Sequence, residues 1–424
     1  MSLFLLTFFL VYGSVHVYAL LKARSALALG FGTTLAILPL LAVLLCAPIL
    51  TYLLSRHGNE SAARLAAHAG YIWMGFLFFL TCLNLFADLL RLPLRAMGSG
   101  GIAAHAAAVL AGRTVYLCIA GLAVALSAYA IVEASRIGVV RVRIVTDRLP
   151  ASVPSLRIVQ ITDLHLGLVH RNGKAGDVAR IVAGERPDLF ISTGDFVDGQ
   201  LDGVGGLAEI LRGIPAPRGK YAVLGNHEYY AGIDRAIDFT RKAGFTLLRD
   251  ESVVIDNAVR LAGVDDPAVE RFARSRGPSE TAVLGNRPDG LFTILLKHRP
   301  ELDPASAGKF DLQLSGHTHH GQLFPFRLLT RLVYPLLAGD HPVPGGGTLH
   351  VSRGTGTWGP PMRFLAPPEI TVVEIERAPR SSYGGGTPAA RSSRWGGAPR
   401  SSWFRRSFPS LSLLPRRPGV EYRQ

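Results

Sequence analysis

The chain has 424 residues, 48% of them hydrophobic and only 18% charged, with a mean hydropathy of +0.27. Its 45 Lys and Arg exceed its 31 Asp and Glu, for a formal net charge of +14. Such a composition excludes wholesale disorder, and three cysteines exclude a disulfide framework. So much apolar sequence is also unlike a soluble basic nucleic-acid binder.

The charge is unevenly spread. Residues 1–150 carry 11 basic and 4 acidic residues, a net of +7. Residues 151–376 carry 24 and 26, a net of −2, and residues 377–424 carry 10 and 1, a net of +9. The basicity therefore belongs to the two ends.

Four long apolar blocks open the chain, at 2–21, 31–54, 69–87 and 114–132. Each is long enough, as a helix, to cross a hydrocarbon core about 30 Å thick. One such block alone could be a core helix or a cleaved signal, and the first lacks a basic leading segment. Four in series predict a four-helix transmembrane domain over 1–135, followed by a linker over 136–154. The three cysteines, Cys46, Cys82 and Cys118, all fall in these blocks. Asp88 and Glu133 are polar exceptions near block ends, where interfacial placement explains them. Loops one and three hold five positive residues, Lys22, Arg24, Arg91, Arg95 and Arg113, against Arg56 and Arg64 in loop two. That count places the main domain on the extracytoplasmic side; adding the four arginines of the exit segment removes the preference.

Between 155 and 376 the pattern changes to short β-rich runs that stop abruptly in polar, Gly-containing loops. SLRIVQIT ends at Asp163, DLFIST at Gly194-Asp195, and KYAVL at Gly225-Asn226-His227-Glu228. FTILL ends at Lys297-His298 and FDLQLS at Gly316-His317-Thr318-His319. Helix-like stretches lie between some of them, so the fold class is α/β. In such sheets functional groups collect beyond the strand carboxyl ends.

Asp163 and His165 are spaced to point the same way from an extended turn, as are His317 and His319. With Asp195, Asn226 and His298 they form a mixed carboxylate, amide and imidazole set. That mixture suits Mn, Fe, Zn or Co better than Ca or Mg, and the lack of thiolate argues against structural zinc. Seven ligands exceed one tetrahedral ion. They fit two divalent ions sharing a bridging carboxylate, with His227 in reserve.

The series Asp163-x-His165, Gly194-Asp195-x-x-Asp198, Gly225-Asn226-His227-Glu228, His298 and Gly316-His317-x-His319 resembles the calcineurin-like metallophosphoesterases. The resemblance covers about half the chain. SGHTHHGQ (315–322) and GTGTWGPPMRFLAPPEI (354–370) are similar to a bacterial membrane-attached branch, with His320 where that branch commonly has Gly. Some animal relatives also join several membrane helices to this domain. The resemblance implies a two-sheet β-sandwich flanked by helices. It implies one metal on Asp163, His165, Asp195 and His319, and another on Asp195, Asn226, His298 and His317, with Asp195 bridging. Two such ions would activate a hydroxide for in-line attack on phosphorus. His227 would contact substrate and either protonate the leaving oxygen or stabilise the transition state. Glu228 would either orient His227 or hold a turn.

The expected function is a membrane-anchored, dinuclear metal-dependent phosphoesterase. A membrane domain beside the site favours a phosphodiester of a lipid or envelope component, and the near-neutral central segment argues against nucleic acid. The competing expectation is a non-catalytic membrane sensor or scaffold that uses the metal domain as a binding module. Asp198 is a candidate partner for a histidine, Arg353 is read as a surface residue, and His170 as a loop residue. Asp265 and Asp266 match no motif. Residues 377–424, rich in Arg, Ser, Pro and Gly, are expected to be a disordered basic tail.

Overall fold

The computed structural model describes residues 2–379 apart from 99, 200–204, 274–276 and 286–289. The tail expected at 377–424 lies almost wholly outside the described residues.

Six apolar helices come first: α1 (Ser2–Leu27), α2 (Phe31–Leu45), α3 (Ala47–Arg56), α4 (Glu60–Ala96), α5 (Gly101–Ala111) and α6 (Arg113–Ser135). Helices α1, α4 and α6 are each long and apolar enough to cross a membrane. The second apolar block of the sequence is a pair, α2 and α3, bent by 53°. Pro48 causes the break: it lacks an N–H and sits in the first turn of α3. By length and composition, the candidate spans among the described residues therefore number three, or four if the bent pair counts as one. Asp88 is neutralised between helices by Lys22 at 2.5 Å and Arg91 at 3.2 Å, and Tyr18 donates to it at 2.8 Å. A carboxylate at that position needs such partners.

The rest of the described chain is two six-stranded sheets. The strands are β1 (Gly138–Thr146), β2 (Ser155–Ile161), β3 (Leu189–Ser192), β4 (Lys220–Ala222), β5 (Thr246–Leu247) and β6 (Glu251–Ile255). They continue with β7 (Val259–Gly263), β8 (Phe292–Leu296), β9 (Leu312–Ser315), β10 (Gly339–Pro342), β11 (Thr348–Val351) and β12 (Glu369–Arg377). One sheet runs β1-β12-β2-β3-β4-β5 and the other β10-β11-β9-β8-β7-β6. Helices α7 (Asn172–Glu185), α8 (Gly205–Arg212), α9 (Asn226–Ala231) and α10 (Ile233–Lys242) lie between strands. So do α11 (Ala268–Ala273), α12 (Glu280–Leu284) and α13 (Arg327–Val333).

Period-two alternation builds the sandwich. Leu156 and Ile158 of β2 face the inter-sheet core with Leu189, Ile191, Ile294 and Leu314. Val159 and Ile161 face outward, under α7 and α8, with Val178 and Leu211. Strands buried on both faces read as near-continuous apolar runs, which is why they stand out in the sequence.

Strand β1 falls inside the segment read as a linker. It pairs in parallel with β12 and forms the edge of the first sheet. Its alternation is partly hidden because Arg141 and Arg143 project outward, to Glu185 at 2.8 Å and Glu376 at 2.7 Å.

Helical bundle and sandwich are locked together. The Glu133 carboxylate of α6 accepts the Ala366 N–H at 2.9 Å and the Leu365 N–H at 3.3 Å. The Arg363 N–H donates to the Ala130 carbonyl at 2.9 Å. Phe364 meets Phe79 of α4 and Tyr129 of α6 edge-on, with centroids 5.4 and 6.0 Å apart. A Cβ at Gly75 would press on the Met362 sulfur, so α4 approaches the domain closely there. Glu133 is thus a structural joint, where sequence reading gave it only an interfacial position.

Candidate metal centre

Strands β2, β3 and β4 are parallel and end in register, Ile161 opposite Ser192 and Ser192 opposite Ala222. Strands β8 and β9 are likewise parallel, Leu296 opposite Leu314. The loops after these strands emerge at one end of the sandwich. They bring together Asp163, His165, Asp195, Asn226, His298, His317 and His319.

Three sets of possible ligand atoms converge there: Asp163, His165 and His319; His165, Asp195 and His227; Asp195, His298 and His317. Within each set the atoms lie within 4.8 Å of one another. His165 Nε2 and His319 Nε2 are 3.0 Å apart, and His317 Nδ1 and His298 Nε2 are 3.1 Å apart. One Asp195 oxygen, Oδ2, lies 3.2 Å from His298 Nε2 and 3.8 Å from His165 Nε2. The other, Oδ1, accepts the His227 N–H at 2.9 Å. Asp195 therefore presents one free oxygen midway between two histidine pairs.

The sequence folds this way at a conformational cost. Asp163, His165, Asp195, His317 and His319 all have positive φ, from 48° to 71°. Each such non-glycine residue costs on the order of 1–3 kcal/mol unless its surroundings over-determine it. Those surroundings are visible. The His317 N–H donates to both Asp163 oxygens at 3.0 Å. Glycine is required at 225, because a Cβ there would overlap the Asp195 carboxylate. Gly225 also caps α9, and Glu228, three residues on, accepts its N–H at 2.7 Å.

Outer partners fix the ring orientations. His298 Nδ1 donates to the Thr193 carbonyl at 2.8 Å, which turns Nε2 toward Asp195. The Tyr334 hydroxyl lies 3.0 Å from His317 Nε2, leaving Nδ1 to face the site. Tyr334 in turn meets Arg299 at 3.4 Å, and Arg299 is held by Asp266 at 2.7 Å. His227 Nδ1 donates to Asp198 Oδ1 at 3.2 Å.

Electrostatics follow from this packing. Burial, then the adjacent His227, lowers the His165 pKa to about 3; burial, then His298, does the same for His317. Those two rings are neutral and offer lone pairs. Burial pushes the Asp163 and Asp195 carboxyls up, but the surrounding histidines outweigh it and hold both below the ordinary range. Burial opposes charge on His298 and His227, yet Asp195 outweighs it, raising them to about 10 and about 9. A cation at His298 would compete with that proton.

The donor set fits metal ions. The Asn226 Oδ1 is buried, has no hydrogen-bond partner among the described residues, and lines the same cavity as Asp195 and His317. The neutral rings of His165 and His317 add imidazole lone pairs beside the carboxylates, the donor types that suit such ions.

Some residues escaped sequence reading. Arg363 is fully buried, and its guanidinium donates to the carbonyls of His319 at 2.9 Å and Arg353 at 2.7 Å. It braces the His319 loop against the strand that precedes β12. Its place inside an otherwise apolar run, PPMRFLAPP, was the available signal. Arg353, by contrast, is engaged by Glu369 at 2.5 Å, and Asp265 by Arg249 at 2.7 Å. His170 is partly buried and bonds Thr357 at 2.5 Å.

The site opens into a cavity of about 540 Å³. One wall is Asp195, Asn226, His227 and His317; the other is Met74, Phe78, Leu323 and Phe326.

Comparison with known proteins agrees. The profile of the calcineurin-like phosphoesterase family matches residues 156–321. A metallophosphoesterase of Aquifex aeolicus is 41% identical over 257 residues, which is 60% of this chain and 98% of that protein. The chain belongs to the calcineurin-like metallophosphoesterase family. A metallophosphoesterase of Helicobacter pylori is 35% identical over 52% of this chain and 60% of its own length. A Danio rerio transmembrane protein with a metallophosphoesterase domain is 31% identical over 324 residues, 72% of this chain and 71% of that protein. Calcineurin-like phosphoesterases use a dinuclear metal centre, and this metallophosphoesterase is a metal-dependent phosphoester hydrolase carrying apolar helices suited to a membrane.

Proposed function

We propose that the protein hydrolyses a phosphodiester of a lipid or envelope component, with its catalytic domain on the extracytoplasmic face of the cell membrane. The observation that carries this reading is the two-walled cavity: candidate metal ligands on one side, a membrane helix on the other.

Asp163, His165, Asp195 and His319 would hold one divalent ion, and Asp195, Asn226, His298 and His317 a second, with Asp195 common to both. Mn, Fe, Zn or Co suits this donor set. Two such ions supply charge neutralisation at the phosphoryl oxygens and acidify a water at neutral pH. The chain's own residues do the rest. His227, charged and held by Asp198, gives its proton to the leaving oxygen as the bond from phosphorus to that oxygen breaks. The bond to Asp198, and that of the His227 N–H to Asp195 Oδ1, keep its ring aimed without reorganisation.

The test uses the full chain in detergent with Mn²⁺ and an aryl phosphodiester. Turnover should require metal, stop with chelator, and collapse with Asp195→Asn or His317→Ala. Two bound ions per chain without turnover of any phosphoester would support the scaffold reading instead. For sidedness, a reporter fused after residue 376 should be active outside the cytoplasm; cytoplasmic activity overturns that assignment.

A further inference from the structure

Helix α13 is seven residues long, reads RLLTRLV, and has no buried residue. Leu328 and Leu329 are more than half exposed, Val333 is 71% exposed and Leu332 80%. A water-facing helix does not ordinarily present four large aliphatic side chains beside one another. Its position explains them. Phe326, at its start, meets Phe78 of α4 edge-on, with centroids 6.5 Å apart. Phe78 lies where α4 still packs on the catalytic domain: Glu60, in its first turn, pairs with Arg171, and Phe79 meets Phe364. An element packed there borders the apolar stretch of the same helix. Arg327 and Arg331 supply the basic residues of an interfacial helix, and Arg327 folds back over the Phe324 ring at 5.3 Å.

The cavity of the metal centre opens between these same elements. Met74 and Phe78 line it from α4, Phe326 and Thr330 from the α13 side, and the site's Asn226 and His227 lie across from them. One cavity is therefore lined both by apolar side chains of α4 and the α13 side and by the candidate metal ligands. Its volume, about 540 Å³, falls within the ordinary range for a ligand pocket.

We propose that α13 lies in the bilayer interface and that the cavity it borders takes one acyl chain of a phospholipid entering sideways, with its phosphodiester at the metal centre. This rests on the phosphoesterase reading above and names the substrate's second binding determinant. The Met74–Phe78 wall fixes the chain, and α13 holds the cavity mouth at the depth where phospholipid phosphates lie.

The experiment has two arms, both on the full chain. In the first, protein in phospholipid nanodiscs is irradiated with a diazirine-acyl phosphatidylglycerol, and labelled peptides are mapped. Labels are expected on 328–333 and at Met74 or Phe78; labels confined to the outward faces of α1, α4 and α6 overturn the proposal. In the second, kcat/KM is compared for a methyl and a hexadecyl aryl phosphodiester with Mn²⁺. The long chain should be preferred by tenfold or more, and Met74→Trp, which fills the cavity, should erase most of that preference. Equal kcat/KM for the two esters in the unaltered protein overturns the acyl site, even if α13 is labelled, while the phosphoesterase reading stands. Failure to hydrolyse either ester overturns both. The label map and the unaltered protein's chain-length ratio decide the matter should Met74→Trp not fold.

Discussion

The Glu228 carboxylate holds Asp195 from behind. It accepts the Asp195 N–H at 3.0 Å, and then Phe196 at 2.7 Å, Val197 at 3.3 Å and Gly225 at 2.7 Å. One buried side chain thus satisfies four backbone donors from two loops and fixes the backbone that carries Asp195. Sequence reading left Glu228 undecided between orienting His227 and holding a turn; the contacts make it the keystone of a turn.

Glu228→Gln should therefore damage metal binding more than substrate binding. An amide presents one NH₂ to the same donors and leaves buried N–H groups unpaired, at about 1–3 kcal/mol each. The melting temperature should fall, and bound metal measured by elemental analysis should drop below that of the unaltered protein. A variant with full metal content and stability would contradict this account.

Asp198 acts through His227. Asp198→Asn keeps the shape but removes the anion that accepts from Nδ1 at 3.2 Å. We expect kcat to fall about 10- to 100-fold with little change in KM. The loss should be greatest for esters with poor leaving groups and shrink for activated aryl esters, because only the former need the proton. A loss independent of leaving group would argue against His227 as the acid.

Tyr334→Phe removes the hydroxyl beside His317 Nε2. Affinity for one of two bound ions should weaken by about 10-fold or more while the other is retained. Titration with metal should then resolve two steps where the unaltered protein shows tight occupancy of both.

Glu133→Ala tests the joint between bundle and sandwich. It strands the Leu365 and Ala366 N–H groups in a buried position and should cost roughly 2–4 kcal/mol. Thermal unfolding in detergent should shift downward, and proteolysis should begin to cut near residue 136. Glu133→Gln, which keeps one acceptor, should recover part of the loss.

Much of the centre was legible in the sequence because each candidate ligand lies just beyond a β-rich run, and Asp195, Asn226 and His317 each follow a glycine. Local pattern shows where strands stop, and parallel strands that stop in register bring their loops together. Arg363 and Tyr334 were not legible, since each earns its meaning from partners 44 and 17 residues away along the chain. Strand β1 was hidden for another reason: its partner β12 lies at the far end of the domain, so nothing local distinguished it from a linker. The bend between α2 and α3 was signalled by Pro48 within one unbroken apolar run, yet hydropathy alone reads straight through it.

Helix α6 ends at Ser135 and β1 begins at Gly138. Two residues are not a tether. A catalytic head on a flexible leash would sample a hemisphere of positions and reach phosphates at many heights. On the membrane reading proposed above, this head would stand at a single elevation and a single tilt. Its selectivity would then be partly a matter of altitude: an ester whose phosphate sits too far above the bilayer, or in the opposite leaflet, would be out of range whatever its chemistry.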